Sequence, residues 1–244
     1  REMVQKAIEE GGAYRPMVVK SGVERDIALL VKQEAMTLPG VSIEVEPMRD
    51  YLYGPLVSQV VGYLLPIPQE KEAEYIAQGY DPATDRIDVA GVEATYEDRL
   101  RGKKGERIIE EDVLGRVIRV VEDRAIPTPG DNVYLTVDLE LQRFVEEALR
   151  QGMEKAESPR GVAIVMNPQT GEILALVSLP TYDNNLFVRG ISTQDWQRLS
   201  EDPHRPLLNH AIADRLPPGS VFKIVVAAAA LQEGVLTPYT HLYC

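Results

Sequence analysis

A chain of 244 residues can bury a sizeable core, and 44% hydrophobic with 26% charged side chains is too polar for a multi-span membrane protein. The net charge of -12, from 26 basic and 38 acidic residues, excludes a nucleic-acid partner, because phosphate binding needs a basic surface. The imbalance is shared, with 17 basic and 24 acidic residues before Thr128 and 9 and 14 from there on, so no basic arm hides in the average.

The pattern begins with a strand over residues 15–20 and an amphipathic helix over 24–36, whose Ile27, Leu30 and Val31 share one face. Pro39-Gly40 ends that helix. Residues 41–46 then alternate apolar with polar, as a half-buried strand does. Residues 55–65 and 69–78 read as helices, 80–88 as a polar loop and 91–100 as a third helix. Strands around 107–109 and 117–121 flank Gly115 as a hairpin. Pro127-Thr128-Pro129-Gly130 forbids regular structure and divides the chain into two domains, 1–128 and 129–244.

The second half is more regular. Residues 133–137 predict a strand, and Asp138 caps a helix from 139 to about 155. Residues 161–166 and 172–179 form a hairpin around the five-residue loop Asn167-Pro168-Gln169-Thr170-Gly171. A polar stretch, 180–206, precedes an apolar helix from Ser220 to Glu233 that stops at Gly234. Trp196, within that stretch, packs over its neighbours or shapes a groove. Arg49 and Glu93 are charges in apolar surroundings and read as making structural ion pairs or hydrogen bonds rather than touching a substrate.

Cys244 is the single cysteine, so neither a disulfide framework nor a thiol cluster for a metal is available. His204, His210 and His241 lack the one-turn spacing of a helical zinc site, and neither a metal nor a cofactor is expected. The longest apolar run, 224–231, is far short of the roughly 20 residues of a membrane span, and the opening residues do not read as a signal peptide. The chain opens inside a helical pattern and closes without a cap, so both ends read as cut from a longer protein.

Pro217-Pro218-Gly219-Ser220-Val221-Phe222-Lys223 carries the chemistry. A hydroxyl in the first turn of a helix sits where backbone N–H groups lack partners and the dipole favours negative charge, which suits a developing oxyanion. Lys223, three residues on, lies on the same face as Ser220. The helix that follows is apolar nearly all round and should be buried, which would hold the lysine amine neutral and able to act as a base. Against this, a Ser-x-x-Lys pair occurs about once by chance in a chain of this length. Ser220 as a plain helix cap and Lys223 as a snorkelling charge remains the competing reading.

Leu208-Asn209-His210-Ala211-Ile212 followed by Leu216-Pro217-Pro218-Gly219-Ser220-Val221-Phe222-Lys223 resembles the active-site segment of penicillin-binding transpeptidases. Arg49-Asp50-Tyr51-Leu52-Tyr53-Gly54 through Val61-Gly62-Tyr63, and the stretch from Gly91-Val92-Glu93 to Lys104-Gly105, are similar to the pedestal of the class B members. Leu135-Thr136-Val137-Asp138 and Val165-Met166-Asn167-Pro168 resemble the entry to the transpeptidase domain. His210 stands where arginine is common and Val221 where threonine is frequent. The Arg-Gly stretch that usually opens the pedestal is absent, as are the downstream Ser-x-Asn and Lys-[Ser/Thr]-Gly motifs. Lys20-Ser21-Gly22 matches the last pattern by coincidence.

The resemblance implies an α+β fold: a mixed pedestal, or dimerisation, domain followed by the first part of a transpeptidase domain of the penicillin-binding and beta-lactamase-like kind. It implies acyl transfer from D-Ala-D-Ala stem peptides through a serine acyl-enzyme, with catalytic Ser220 and Lys223, no cofactor, and beta-lactams as inhibitors. A chain of this extent would by itself be inactive. The implied partners are peptidoglycan stem peptides, a membrane-embedded glycosyltransferase and other elongation or division proteins met through the pedestal, and a second pedestal in a homodimer. Elongation is favoured over division. The implied location is the outer face of the cytoplasmic membrane, with an N-terminal anchor outside this chain. The rival readings are a non-enzymatic beta-lactam sensor and a scaffolding protein of the cell-wall machinery.

Overall fold

The computed structural model describes residues 18–20, 22–34, 37–38, 40–43, 45, 48–82, 84–112 and 117–241. The chain divides into two compact units, Arg1–Ala211 and Ile212–Cys244. Helices and strands are mixed, and the strands of the described residues form three separate two-stranded antiparallel sheets.

In the first half, α1 (Arg25–Gln33) is amphipathic yet leaves Ile27 and Leu30 exposed. Helix α2 (Gly54–Val61) starts on a proline-containing turn and stops at Gly62, whose φ of +106° no side-chain-bearing residue adopts easily. That stop overturns the helix expected to run on to residue 65. Leu64–Pro66 is instead strand β1, paired with β2 (Arg86–Asp88), which lies in the stretch expected to be loop. A Cβ on Gly62 would sit 1.9 Å from the Ala90 carbonyl oxygen, so glycine is what lets α2 approach the start of α4 (Gly91–Leu100) this closely. Between the two strands, a 3-10 turn (Gln69–Lys71) leads into α3 (Glu72–Ala77). Ile67, Tyr80 and Ile87, with Tyr75 against them, form the small core beneath.

Strands β3 (Glu106–Glu111) and β4 (Val117–Ala125) form the expected hairpin, with Ile109 opposite Val120. Charged pairs such as Arg107–Asp123 (2.6 Å) and Arg119–Glu110 (2.6 Å) cross it. The expected Gly115 turn, and residues 15–17, 44 and 46 of the two expected strands, lie outside the described residues. Residues 18–20, 41–43 and 45 carry no strand. Alternation tells which face a strand would bury but not which strand would pair with it, and these segments have no ladder partner among the described residues.

In the second half, α5 (Leu139–Lys155) is capped by Asp138, whose carboxylate accepts the Leu141 N–H at 2.9 Å. It packs on the expected hairpin of β5 (Gly161–Met166) and β6 (Ile173–Leu179), whose second strand starts one residue later than expected. Residues 133–137 are not a strand. They run beside β6, tied by Thr136 Oγ1 to the Ile173 carbonyl (2.6 Å) and by the Asp138 N–H to that of Leu174 (2.9 Å). Helices α6 (Asn185–Val188) and α7 (Thr193–Ser200) follow. Here Tyr182, Phe187 and Leu199 form a second core, closed by Tyr63 and Leu65 from the first half of the sequence. Then α8 (His210–Ala213) leads to a 3-10 turn (Gly219–Phe222) and α9 (Lys223–Gln232).

Candidate active site

Two prolines and a glycine prepare the turn that carries Ser220. Pro217 and Pro218 fix their own φ, and Gly219 takes a φ of +57°, in the left-handed region that glycine reaches without strain. The chain then tightens into the 3-10 turn before α9, and the Lys223 N–H bonds to the Ser220 and Val221 carbonyls. In a 3-10 turn residues three apart eclipse, which sets Ser220 and Lys223 on one face. Ser220 therefore lies inside the turn, whose N-cap residue is Pro218, rather than at the cap position. Gly234, with a φ of +67°, follows the end of α9.

The expectation of burial does not hold for this helix. None of its residues is buried; Ile224 is 74% exposed, Val225 and Val226 each 55%, and Lys223 itself is exposed. A helix apolar on every side needs cover from several directions, and residues 212–241 supply no core of buried residues to provide it. The desolvation expected around Lys223 is thus not furnished by the described residues.

Upstream, the segment leading to Ser220 is pinned. His210, which stands in the place of a common arginine, is 4% exposed; its N–H donates to Ser178 Oγ (3.0 Å) and its Nε2 lies 3.0 Å from the His204 carbonyl oxygen. His204 in turn pairs with Asp202 at 3.1 Å. Trp196 lies 38% exposed on α7. The described residues contain no cluster of metal-ligating side chains, and no helix among them is long and apolar enough to cross a membrane.

Arg49 and Glu93 do form an ion pair, Nε to Oε1 at 3.2 Å, and the Tyr51 hydroxyl donates to Glu93 Oε2 at 2.6 Å. Burial pushes the Glu93 carboxyl up, opposed by Tyr51 and Arg49. Burial, and then the Glu93 carboxylate, push the Tyr51 phenol up as well. The Tyr51 backbone is clasped by Asn185, whose Oδ1 accepts its N–H (3.0 Å) and whose Nδ2 donates to its carbonyl (2.9 Å). An open cleft of about 550 Å³ adjoins this clasp, lined by Tyr51, Tyr53, Arg143 and Asp183 among others, and neither Ser220 nor Lys223 lines it.

Sequence reading missed the polar residues that join the two halves. Gln142, 1% exposed, donates through Nε2 to the Leu56 and Leu176 carbonyls (2.9 and 2.7 Å) and accepts the Leu176 N–H (2.8 Å). Asn184 Nδ2 donates to the Gly62 carbonyl (3.0 Å), the Tyr182 hydroxyl to that of Ser58 (3.2 Å), and Ser58 Oγ pairs with Thr181 Oγ1 (2.7 Å). Polar residues at intervals in a sequence look like surface; only their burial shows otherwise.

The family profile of the penicillin-binding protein dimerisation domain matches residues 1–135, and that of the penicillin binding protein transpeptidase domain matches residues 161–244. The chain is similar to peptidoglycan D,D-transpeptidase MrdA of Salmonella typhimurium strain LT2, 34% identical over 244 residues, covering 98% of this chain and 38% of that protein. With MrdA of Escherichia coli K12 it shares 39% identity over 209 residues, covering 84% of this chain and 32% of that one. Among solved structures it resembles Pseudomonas aeruginosa PBP2 in complex with WCK 5153, with 32% identity, a TM-score of 0.62, and 83% of this chain and 39% of that chain covered. A complex of PBP2 and MreC from Helicobacter pylori, at 24% identity and a TM-score of 0.72 over 98% of this chain and 45% of that one, shares the fold. The chain thus spans about a third of the length of these curated relatives, 38% of one and 32% of the other.

Proposed function

Because the chain belongs to the penicillin-binding proteins, uniting their dimerisation domain with transpeptidase sequence, we propose that the protein containing it crosslinks peptidoglycan by serine acyl transfer. Ser220 Oγ attacks the carbonyl carbon of the penultimate D-alanine of a stem peptide while the Lys223 amine takes its proton. The tetrahedral adduct collapses, the terminal D-alanine leaves with a proton, and an amine of a neighbouring stem displaces Ser220 to form the crosslink. The Ser220 N–H contributes one donor to the oxyanion, and a beta-lactam that mimics the D-Ala-D-Ala carbonyl leaves Ser220 acylated.

One observation supports this assignment most: Ser220 and Lys223 share a face of a tight turn at the mouth of an apolar helix, within residues matching the transpeptidase profile. The cover that α9 needs, and the groups that orient the substrate, belong in this reading to transpeptidase sequence beyond the part matched here. Residues 1–128 serve as the pedestal and 129–244 as the start of the catalytic domain. The pedestal meets proteins of the elongation machinery, among them a membrane-embedded glycosyltransferase, and pairs with a second pedestal. The site works on the outer face of the cytoplasmic membrane, held by an anchor outside this chain.

Labelling with a fluorescent penicillin tests the assignment. The full-length protein is expected to form a stable adduct at Ser220; Ser220→Ala should abolish it, and Lys223→Ala should slow it by at least about 100-fold, as loss of a general base does. The 244-residue chain alone should not label. Persistent labelling and crosslinking by full-length Ser220→Ala would remove the reading.

A further inference from the structure

Ser220 is exposed, and residues 212–241 hold no core of buried residues that could grip its side chain. The direction of its hydroxyl is therefore set by the main chain that delivers it. Pro218 enters the turn right-handed, with φ −66° and ψ −16°. Phe222 (φ −67°, ψ −16°) and Lys223 (φ −58°, ψ −30°) leave it right-handed. Gly219, immediately before Ser220, is inverted, at a φ of +57°. The peptide unit that follows Gly219 ends in the Ser220 N–H, the donor assigned to the oxyanion. The torsions of Gly219 thus aim that N–H and the Cα that carries Oγ together.

Glycine serves where the chain needs a positive φ, or where another group comes too close for a Cβ. A Cβ on Gly62 or Gly91 would strike backbone oxygen at 1.9 or 2.5 Å, whereas one on Gly219 meets nothing within 4 Å. What position 219 requires is the torsion, not the space. An L side chain at such a φ crowds the neighbouring carbonyl oxygen, and a return to negative φ relieves the strain by swinging the next peptide. We infer that Gly219 is a positioning residue for the acyl transfer: its left-handed backbone aims the Ser220 hydroxyl and N–H at the substrate carbonyl. The inference rests on Ser220 being the nucleophile.

Rapid-mixing kinetics of the full-length protein with a fluorescent penicillin separates the dissociation constant of the initial complex from the acylation rate constant. Gly219→Ala adds the smallest side chain and should lower the acylation constant roughly tenfold, the scale of a backbone held in or driven out of the left-handed region. Gly219→Asn adds a larger one, but asparagine tolerates that region, so its loss should stay within about threefold. Gly219→Val, branched at Cβ, should lose most. The dissociation constant should change little in all three, because misaiming a nucleophile slows the chemical step.

The order of the variants decides. Losses that follow side-chain size, with Gly219→Asn slower than Gly219→Ala, mean that space and not torsion matters, and overturn the inference. An acylation constant unchanged in Gly219→Ala overturns it too, as does a loss confined to the amount of labelled protein, which reports folding. Should Gly219→Val fail to fold, the other two variants settle the order. A wrong functional assignment reads differently: Ser220→Ala would then still label, whatever stands at position 219.

Discussion

Asp88 is where a single side chain makes the pedestal sensitive to pH. Its Oδ1 is buried without a hydrogen-bond partner, and the Glu93 and Glu97 carboxylates act on it from α4. Burial first, and those charges next, push its pKa up from 3.8 to about 7, with Arg49 opposing. The folded value lies above the unfolded one, so the native state holds this proton more tightly. The associated stability is complete below about pH 4, drains away as the pH rises toward 7, and is absent above that. Asp88→Asn is therefore expected to raise the melting temperature of the full-length protein at pH 8, by an amount that shrinks steadily toward pH 4. A gain equal at both ends of that range would mean that another group titrates. Neighbouring Glu93 has what Asp88 lacks, an ion pair with Arg49 and the Tyr51 hydroxyl; the sequence marked Arg49 and Glu93 as charges among apolar residues that need partners, and only the fold showed that they are each other's.

Among the elements, α5 is the one whose limits the sequence states most fully. Asp138 supplies its cap, and its apolar positions recur at the helical period. Asp138→Ala should cost about 1 kcal/mol, the usual worth of such a cap, read as a lower denaturant midpoint with an unchanged slope. The end of α2 was legible in retrospect, since Gly62 marks it, but an apolar run through Leu65 masked the signal. The three-residue strands β1 and β2 show no period of their own; they exist because they face each other. The all-round apolar character of α9 was read correctly and its burial was not, since composition states that a helix needs cover and not what covers it.

Across Arg1–Ala211, the two halves of the sequence are fastened by side-chain amides and hydroxyls on main-chain groups. Gln142 alone ties α5, β6 and α2 together. Gln142→Leu would leave the Leu56 and Leu176 carbonyls and the Leu176 N–H without that partner, and should destabilise the full-length protein by about 2–4 kcal/mol in chemical denaturation, the scale of several stranded buried groups. A loss within a few tenths would show that water replaces the glutamine. Residues on either side of the proline-rich stretch at 127–130 are thus joined directly by these side-chain bonds.

By itself the sequence determined the family, the long helix α5 with its cap, the hairpins β3–β4 and β5–β6, and the close spacing of Ser220 and Lys223. Each of these is written in local chemistry: a period, a cap, a turn, or a short motif. Tertiary structure alone decided that Gln59, Gln142 and Asn184 are interior, that Leu64–Pro66 pairs with Arg86–Asp88, and that Asp88 sits beside two other carboxylates. Those facts depend on residues far apart in the chain meeting in space. The same glutamine or aspartate would be an ordinary surface residue if the backbone brought nothing to it.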